Sequence, residues 1–202
     1  MANAINFSGY GGLPIPKGGY TFKVFANDIL NYADVNKINK LNLFGYSMGG
    51  YAAFYFAKQH PDRVAKIATL NVKFNWDIAT TQKEMAMLNA NKILEKIPAF
   101  ATKLITQHGA DLWKDVLTAT ADMMGNLSKD IVLTEEDFKQ IGHEVLLCVG
   151  DKDTTTTIEE TLAIHRQLPK SQLCIFPKTP HPFDKINMEM LVFQLKRFFE
   201  DK

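Results

Sequence analysis

Leu41-Asn42-Leu43-Phe44-Gly45-Tyr46-Ser47-Met48-Gly49-Gly50 is the stretch on which the fold turns. Leu41 to Phe44 reads as a short buried strand. Tyr51 to Gln59, built from small and aromatic residues, reads as a helix that His60-Pro61-Asp62 stops. Between them, Gly45 to Gly49 fits G-x-S-x-G. A strand before and a helix behind are the context in which that pattern exposes a serine on a strained turn. Small neighbours let strand and helix approach closely. Ser47 would then project from the carboxyl end of a sheet. The Met48 amide, at a helix N-terminus, could donate to a developing oxyanion. The plainer alternative is a glycine-rich strand–helix turn with no chemistry, since a five-residue match is common by chance.

Working outward, Val64 to Leu70, Glu144 to Val149 and Gln172 to Phe176 read as further strands. The second has the unbroken apolar character of a buried parallel strand. Tyr20 to Val35, Thr157 to Leu168 and Phe183 to Phe199 carry helical spacing. This alternation argues for an α/β domain with a mostly parallel sheet flanked by helices. The middle differs: Trp76 to Lys139 shows helical periods and no convincing strand. Within it, Thr134 to Asp137 forms an N-cap with an acid at N3. The expected organisation is a core over 1–75 and 140–202, with 76–139 as a helical insertion. Ser8 to Gly19, rich in Gly and Pro, reads as an exposed loop entered from an apolar stub at Ala4 to Phe7.

The chain has 202 residues, so at about 150 residues per domain it holds one domain with an insertion. Its 23 Lys+Arg against 22 Asp+Glu leave a charge of +1, which argues against a general electrostatic hold on nucleic acid or anionic membrane. No run of about 18 apolar residues suggests a bilayer span. The opening residues show no basic start and no apolar core of a signal peptide, so a cytoplasmic protein is expected. Cys148 and Cys174 make neither a disulfide framework nor a zinc site, and read as buried free thiols. No metal and no organic cofactor is implied.

A serine nucleophile needs a base, and the base an orienting acid. Among the histidines, His181 lies in the loop Pro177 to Pro182, just past a strand. Loops at strand ends collect catalytic groups, although a solvated loop histidine would look the same. His165 falls inside a helix, and His60 is a helix stop. His108 and His143 adjoin glycines at helix ends, where the dipole suffices to explain them. For the acid, Asp153 is preferred, because two further residues let the loop curl toward the histidine. Asp151 more plausibly braces the turn by bonding backbone amides. Asp77 is a minor alternative.

These residues resemble the α/β-hydrolase superfamily, within it the cap-bearing, esterase-like serine hydrolases. Leu43 to Gly50 matches that family's strand, elbow and helix, and Ala57 to Val64 looks like the segment closing its helix. Val145 to Asp153 is similar to its acid-bearing strand and loop, and His181 matches its histidine. The resemblance implies an inserted helical cap, nucleophile Ser47, acid Asp153, base His181 and Met48 as one oxyanion amide. It also implies a cap that roofs the pocket. Tyr46, Trp76, Phe100, Trp113 and Met123 then become weak substrate-binding candidates, against the simpler reading of the last four as cap core. One departure stands out. Asn6 to Gly12 resembles the D-x-x-G-x-G-x segment that follows the family's fourth strand, so the chain is expected to start inside that strand. The usual N-terminal strands and their His-Gly oxyanion loop would be lacking, leaving a gap in the sheet. A fragment, a partner chain covering the exposed edge (a second copy included) and a degenerate hydrolase each fit that expectation.

The activity expected is cleavage of a small, mostly apolar ester or thioester through an acyl-enzyme on Ser47. The alternative is a ligand-binding module or truncated pseudoenzyme on the hydrolase scaffold. The expected partner is the small ester-like substrate, with neither nucleic acid nor membrane.

Overall fold

A computed structural model describes residues 2–200. In chain order these form α1 (Phe22–Val35), β1 (Leu41–Tyr46), α2 (Met48–Gln59) and β2 (Val64–Leu70). Then come α3 (Ile78–Met87), α4 (Ala90–Lys96), α5 (Pro98–His108), α6 (Trp113–Leu127) and α7 (Glu135–Gln140). The chain ends with β3 (Glu144–Gly150), α8 (Ile158–Gln167), β4 (Ser171–Phe176) and α9 (Met188–Glu200). Residues 33–75 and 133–200 form one compact unit, and residues 2–32 with 76–132 another.

The first of these units holds the sheet. Its four strands run in the order β1-β2-β3-β4, every pair parallel. Position in the sheet explains each strand's composition. Val145 to Gly150 of β3 are all buried, because β3 has a neighbour on both sides and helices on its faces. The outer strands β1 and β4 are only partly covered, and Phe44 of β1 keeps 38% of its surface exposed. Cys148 and Cys174 face one another across β3 and β4 as register partners, both as free thiols, the first buried and the second half-buried.

Helix α2 carries seven buried residues among its twelve, so its small and aromatic composition is that of a core helix. Leu191 and Phe198 of α9 pack with Ala68, Leu70, Leu146, Cys148 and Phe176 from the sheet. Burying side chains of that size contributes about 1.5–3 kcal/mol each. An exposed ion pair such as Arg63–Asp34 (2.7 Å) contributes about 0–1 kcal/mol, so burial rather than surface charge holds this unit. The expected helix from Phe183 is interrupted. Residues 183–185 form a single 3-10 turn, and α9 starts afresh where Asn187 Oδ1 accepts from the Met190 amide. Helix α7 falls in this unit: Thr134 and Asp137 cap it reciprocally, and Phe138 packs edge-on against Phe54 and Phe74.

The other unit is helical, and its middle is built by α3 to α6. Ile93, Ala101, Leu104, Trp113 and Leu117 make one buried cluster. The segment Ala4 to Phe7 is not a strand, and the sheet has an edge at β1 rather than a gap. Side chains instead tie the segment to α1: Phe7 stacks on Phe25 (4.6 Å), and the Ser8 amide and hydroxyl both donate to Asp28. No helix among the described residues is long and apolar enough to cross a membrane.

Candidate active site

The elbow is set by a single residue between β1 and α2. Ser47 has φ 50°, in the left-handed region that costs a side-chain-bearing residue about 1–3 kcal/mol. The surroundings hold it there. Its amide donates to the Leu70 carbonyl at the end of β2 (2.9 Å), and its carbonyl accepts from Gly50 and Tyr51 as α2 begins. Two glycines permit the tight approach. A side chain on Gly45 would strike the Gly50 backbone, and one on Gly50 would strike Val72, whereas Gly49 faces open space. Met48 is the first residue of α2, which puts its amide at the positive end of the helix.

The acid-bearing loop follows β3. Asp153 has a fully buried side chain (0% exposed). Its Oδ1 accepts from the Thr155 and Thr156 amides, both at 2.8 Å, and its Oδ2 lies 2.7 Å from His181 Nδ1. The two oxygens are thus committed, one to its own loop and one to the imidazole. Asp151 does a different job, since its Oδ1 accepts from the Thr179 amide in the loop that leads to His181 (3.1 Å). Asp77 is the N-cap of α3, accepting from Thr80 (2.7 Å).

His181 lies in the loop after β4, with Nε2 at 3.2 Å from Ser47 Oγ. A carboxylate beside Nδ1 selects the tautomer that carries its proton on Nδ1, which leaves Nε2 free to accept the serine proton. Tyr46 holds the main chain here: its hydroxyl donates to the His181 carbonyl at 2.7 Å, and its ring lies 5.4 Å from the imidazole. Burial, aided by the charges of Asp153 and Asp184, pushes the Tyr46 phenol up to about 12, so it stays a donor at neutral pH.

The structure therefore brings Ser47, His181, Asp153 and Tyr46 together. The other candidates sit in the helical unit. Trp113 is inside its buried cluster, Trp76 and Met123 are buried, and Phe100 is 42% exposed. Two histidines have roles beyond a helix dipole. His108 is buried, with Nδ1 accepting from the Gly11 amide (3.3 Å) and its ring edge-on to Tyr10. His143 Nε2 donates to the Pro61 carbonyl (2.9 Å). The half-buried Nδ1 of His165 pairs with Ser171 Oγ (2.7 Å). Among the described residues, no group of three or more His, Cys, Asp or Glu side chains is placed to hold a metal ion. Asn71, buried at the end of β2 and bonded to two of the site's loops, was not singled out by sequence; its one signal is a polar residue directly after an apolar strand.

A parallel sheet with a serine on a strand–helix elbow, and an acid and a histidine on later loops, defines an α/β-type hydrolase scaffold. The sequence profile of the alpha/beta hydrolase fold matches residues 4–113, more than half of the chain, and the chain belongs to that family. Similar solved structures include a thermophilic esterase from Thermogutta terrifontis. It is 19% identical, with 96% of this chain and 78% of that one covered and a TM-score of 0.74. A 2-hydroxy-6-oxo-6-phenylhexa-2,4-dienoate hydrolase from Rhodococcus sp. strain RHA1 is 16% identical, with 97% and 78% covered and a TM-score of 0.78. The enol-lactonase from Burkholderia xenovorans LB400 is 19% identical, with 97% and 79% covered and a TM-score of 0.74. At these identities the likeness is one of fold.

Proposed function

We propose that this hydrolase-family chain cleaves a small, mostly apolar ester or thioester through an acyl-enzyme on Ser47. The observation that carries the reading is the continuous chain of contacts from Ser47 Oγ to His181 Nε2 (3.2 Å) and from His181 Nδ1 to Asp153 Oδ2 (2.7 Å).

Ser47 Oγ attacks the substrate carbonyl while His181 Nε2 takes its proton. Asp153 keeps the imidazole oriented and stabilises the cation that forms. The Met48 amide donates to the oxyanion of the tetrahedral intermediate, a single such donor being worth about 10²–10³ in rate. The imidazolium then returns its proton to the leaving alcohol or thiol, and the acyl group stays on Ser47. A water, deprotonated by the same Nε2, attacks the acyl carbonyl and releases the acid. The near-neutral charge of the chain, +1, suits an uncharged substrate better than a polyanionic one.

A fluorophosphonate probe read by peptide mass spectrometry tests this directly. The expected result is a stoichiometric adduct on Ser47 that is lost in His181→Ala, together with turnover of a short-chain nitrophenyl ester that vanishes in Ser47→Ala. Folded protein that takes no label and turns over no ester, yet is thermally stabilised by an apolar ligand, would replace the enzyme with a binding module.

A further inference from the structure

We propose that Asn71 is a positioning residue for the reaction above, fixing from the end of β2 both the loop that carries Asp153 and the loop that carries His181. The inference rests on the Ser47 hydrolase reading.

Asn71 directly follows β2 and is fully buried (0% exposed). Its φ is 53°, a left-handed conformation that asparagine adopts more readily than most residues other than glycine. That turn takes the side chain out of the strand's alternation and sets its two polar ends against different loops. Oδ1 accepts from the Gly150 amide (2.8 Å), at the point where β3 gives way to Asp151 and Asp153. Nδ2 donates to the Pro180 carbonyl (3.4 Å), in the peptide group that leads into His181.

The main chain of Asn71 contributes as well. Its carbonyl accepts from Thr156 Oγ1 (3.3 Å), and the Thr156 amide in turn donates to Asp153 Oδ1 (2.8 Å). Its amide donates to the Cys148 carbonyl (2.9 Å). The preceding residue, Leu70, accepts from the Ser47 amide. Residues 70 and 71 therefore touch all three loops that bear the reacting groups.

The chemistry of the side chain fits the task. An amide of this length offers one acceptor and one donor end. An aspartate would lose the donor and set its oxygen against the Pro180 carbonyl, and a leucine would lose both. A buried amide that served only its own strand would pair along that strand. This one pairs with the two loops whose separation sets the Asp153–His181 distance. A misplacement of about 1 Å at such a centre costs about 10²-fold in rate.

Asn71→Gly removes the side chain and keeps the left-handed turn available. In this variant kcat for a nitrophenyl ester should fall by about 10- to 10²-fold with KM near the wild-type value. Fluorophosphonate labelling of Ser47 should slow by the same factor. The low-field proton resonance of His181 Nδ1, assigned by its loss in His181→Ala, should broaden or vanish. A purely structural role would lower the melting temperature and leave the labelling rate and the resonance in place, and that outcome overturns the inference. If Asn71→Gly does not fold, Asn71→Asp decides, because it keeps the acceptor for Gly150 and replaces the donor to Pro180 by an oxygen that repels that carbonyl. Wild-type labelling and resonance in Asn71→Asp would likewise overturn it. Absence of label on the wild type would instead remove the hydrolase reading, and this inference with it.

Discussion

Gly45, near the end of β1, and Gly50, in the first turn of α2, meet backbone to backbone, so that a side chain on Gly45 would overlap the Cα and amide of Gly50. The contact is what lets a strand turn straight into a helix across one serine. Gly49 lies in the same motif and meets nothing within 4 Å. The two kinds of glycine should separate on substitution. Gly45→Ala, which strikes backbone, and Gly50→Ala, which strikes the buried Val72 side chain, should each destabilise the fold by several kcal/mol through overpacking, or prevent folding. Gly49→Ala should fold with a melting temperature close to that of the wild type. Thermal unfolding of the three variants side by side is the check, and equal losses in all three would contradict the packing account.

The strain at Ser47 predicts an opposition between stability and activity. Ser47→Ala and Ser47→Gly should both lose essentially all esterase turnover, by a factor of about 10⁴ or more. Only glycine relieves the left-handed φ of 50°. Ser47→Gly should therefore be more stable than Ser47→Ala by about 1 kcal/mol, or about 2–4 °C in melting temperature for a chain of this size. Calorimetry of the two variants measures the difference. If glycine shows no advantage, the elbow is not strained at Ser47.

Tyr46 occupies the variable position before the serine, and its hydroxyl is spent on the His181 carbonyl. Tyr46→Phe keeps the ring against the imidazole and removes the donor. It should cost about 0.5–1.5 kcal/mol in stability. It should also lower kcat by up to about 10-fold through the loosened histidine loop, with substrate binding much less affected. A rise in KM at unchanged kcat would assign Tyr46 to substrate contact instead.

His108 makes stability depend on pH. Burial lowers its pKa below the ordinary value of 6.5, and its Nδ1 must be unprotonated to accept from the Gly11 amide. The unfolded chain thus takes up this proton before the folded chain does. The stabilisation by neutral His108 is complete above pH 6.5 and is lost as the pH falls through the folded pKa. Urea unfolding across pH 7.5 to 5 should show that decline, and His108→Leu should remove its share of it. An identical pH dependence in the variant would mean that other groups cause it.

Much of the candidate site was legible because its physics is local. The turn Gly45 to Gly50 needs small residues and a serine in sequence, and His181 stands out as a histidine in a loop immediately after an apolar strand. Asp153 and Asp151 were harder to separate, since both follow β3. The choice depends on which carboxylate reaches the imidazole and which reaches the Thr179 amide, and both partners lie 28 residues away. His108 does end a helix, as its place beside Gly109 suggests, but its bond to the Gly11 amide is hidden from sequence because that partner is 97 residues distant. The resemblance of Asn6 to Gly12 to the family's segment implied a strand end at the stub Ala4 to Phe7, but strand character requires a ladder partner, and Phe25 and Asp28 of α1 hold its neighbourhood instead.

The amino-acid sequence alone determined the parallel α/β plan and the glycine-rich strand–helix turn at Ser47, because periodicity, glycine placement and capping act over a few residues. Only the tertiary structure decided that Asn71 ties two loops together, that Tyr46 holds His181, and that Gly50 rather than Gly49 carries the close packing. The reason is that hydrogen bonds and steric contacts between distant segments come into being once the sheet register is set, and no local pattern encodes which side chain then stands opposite which.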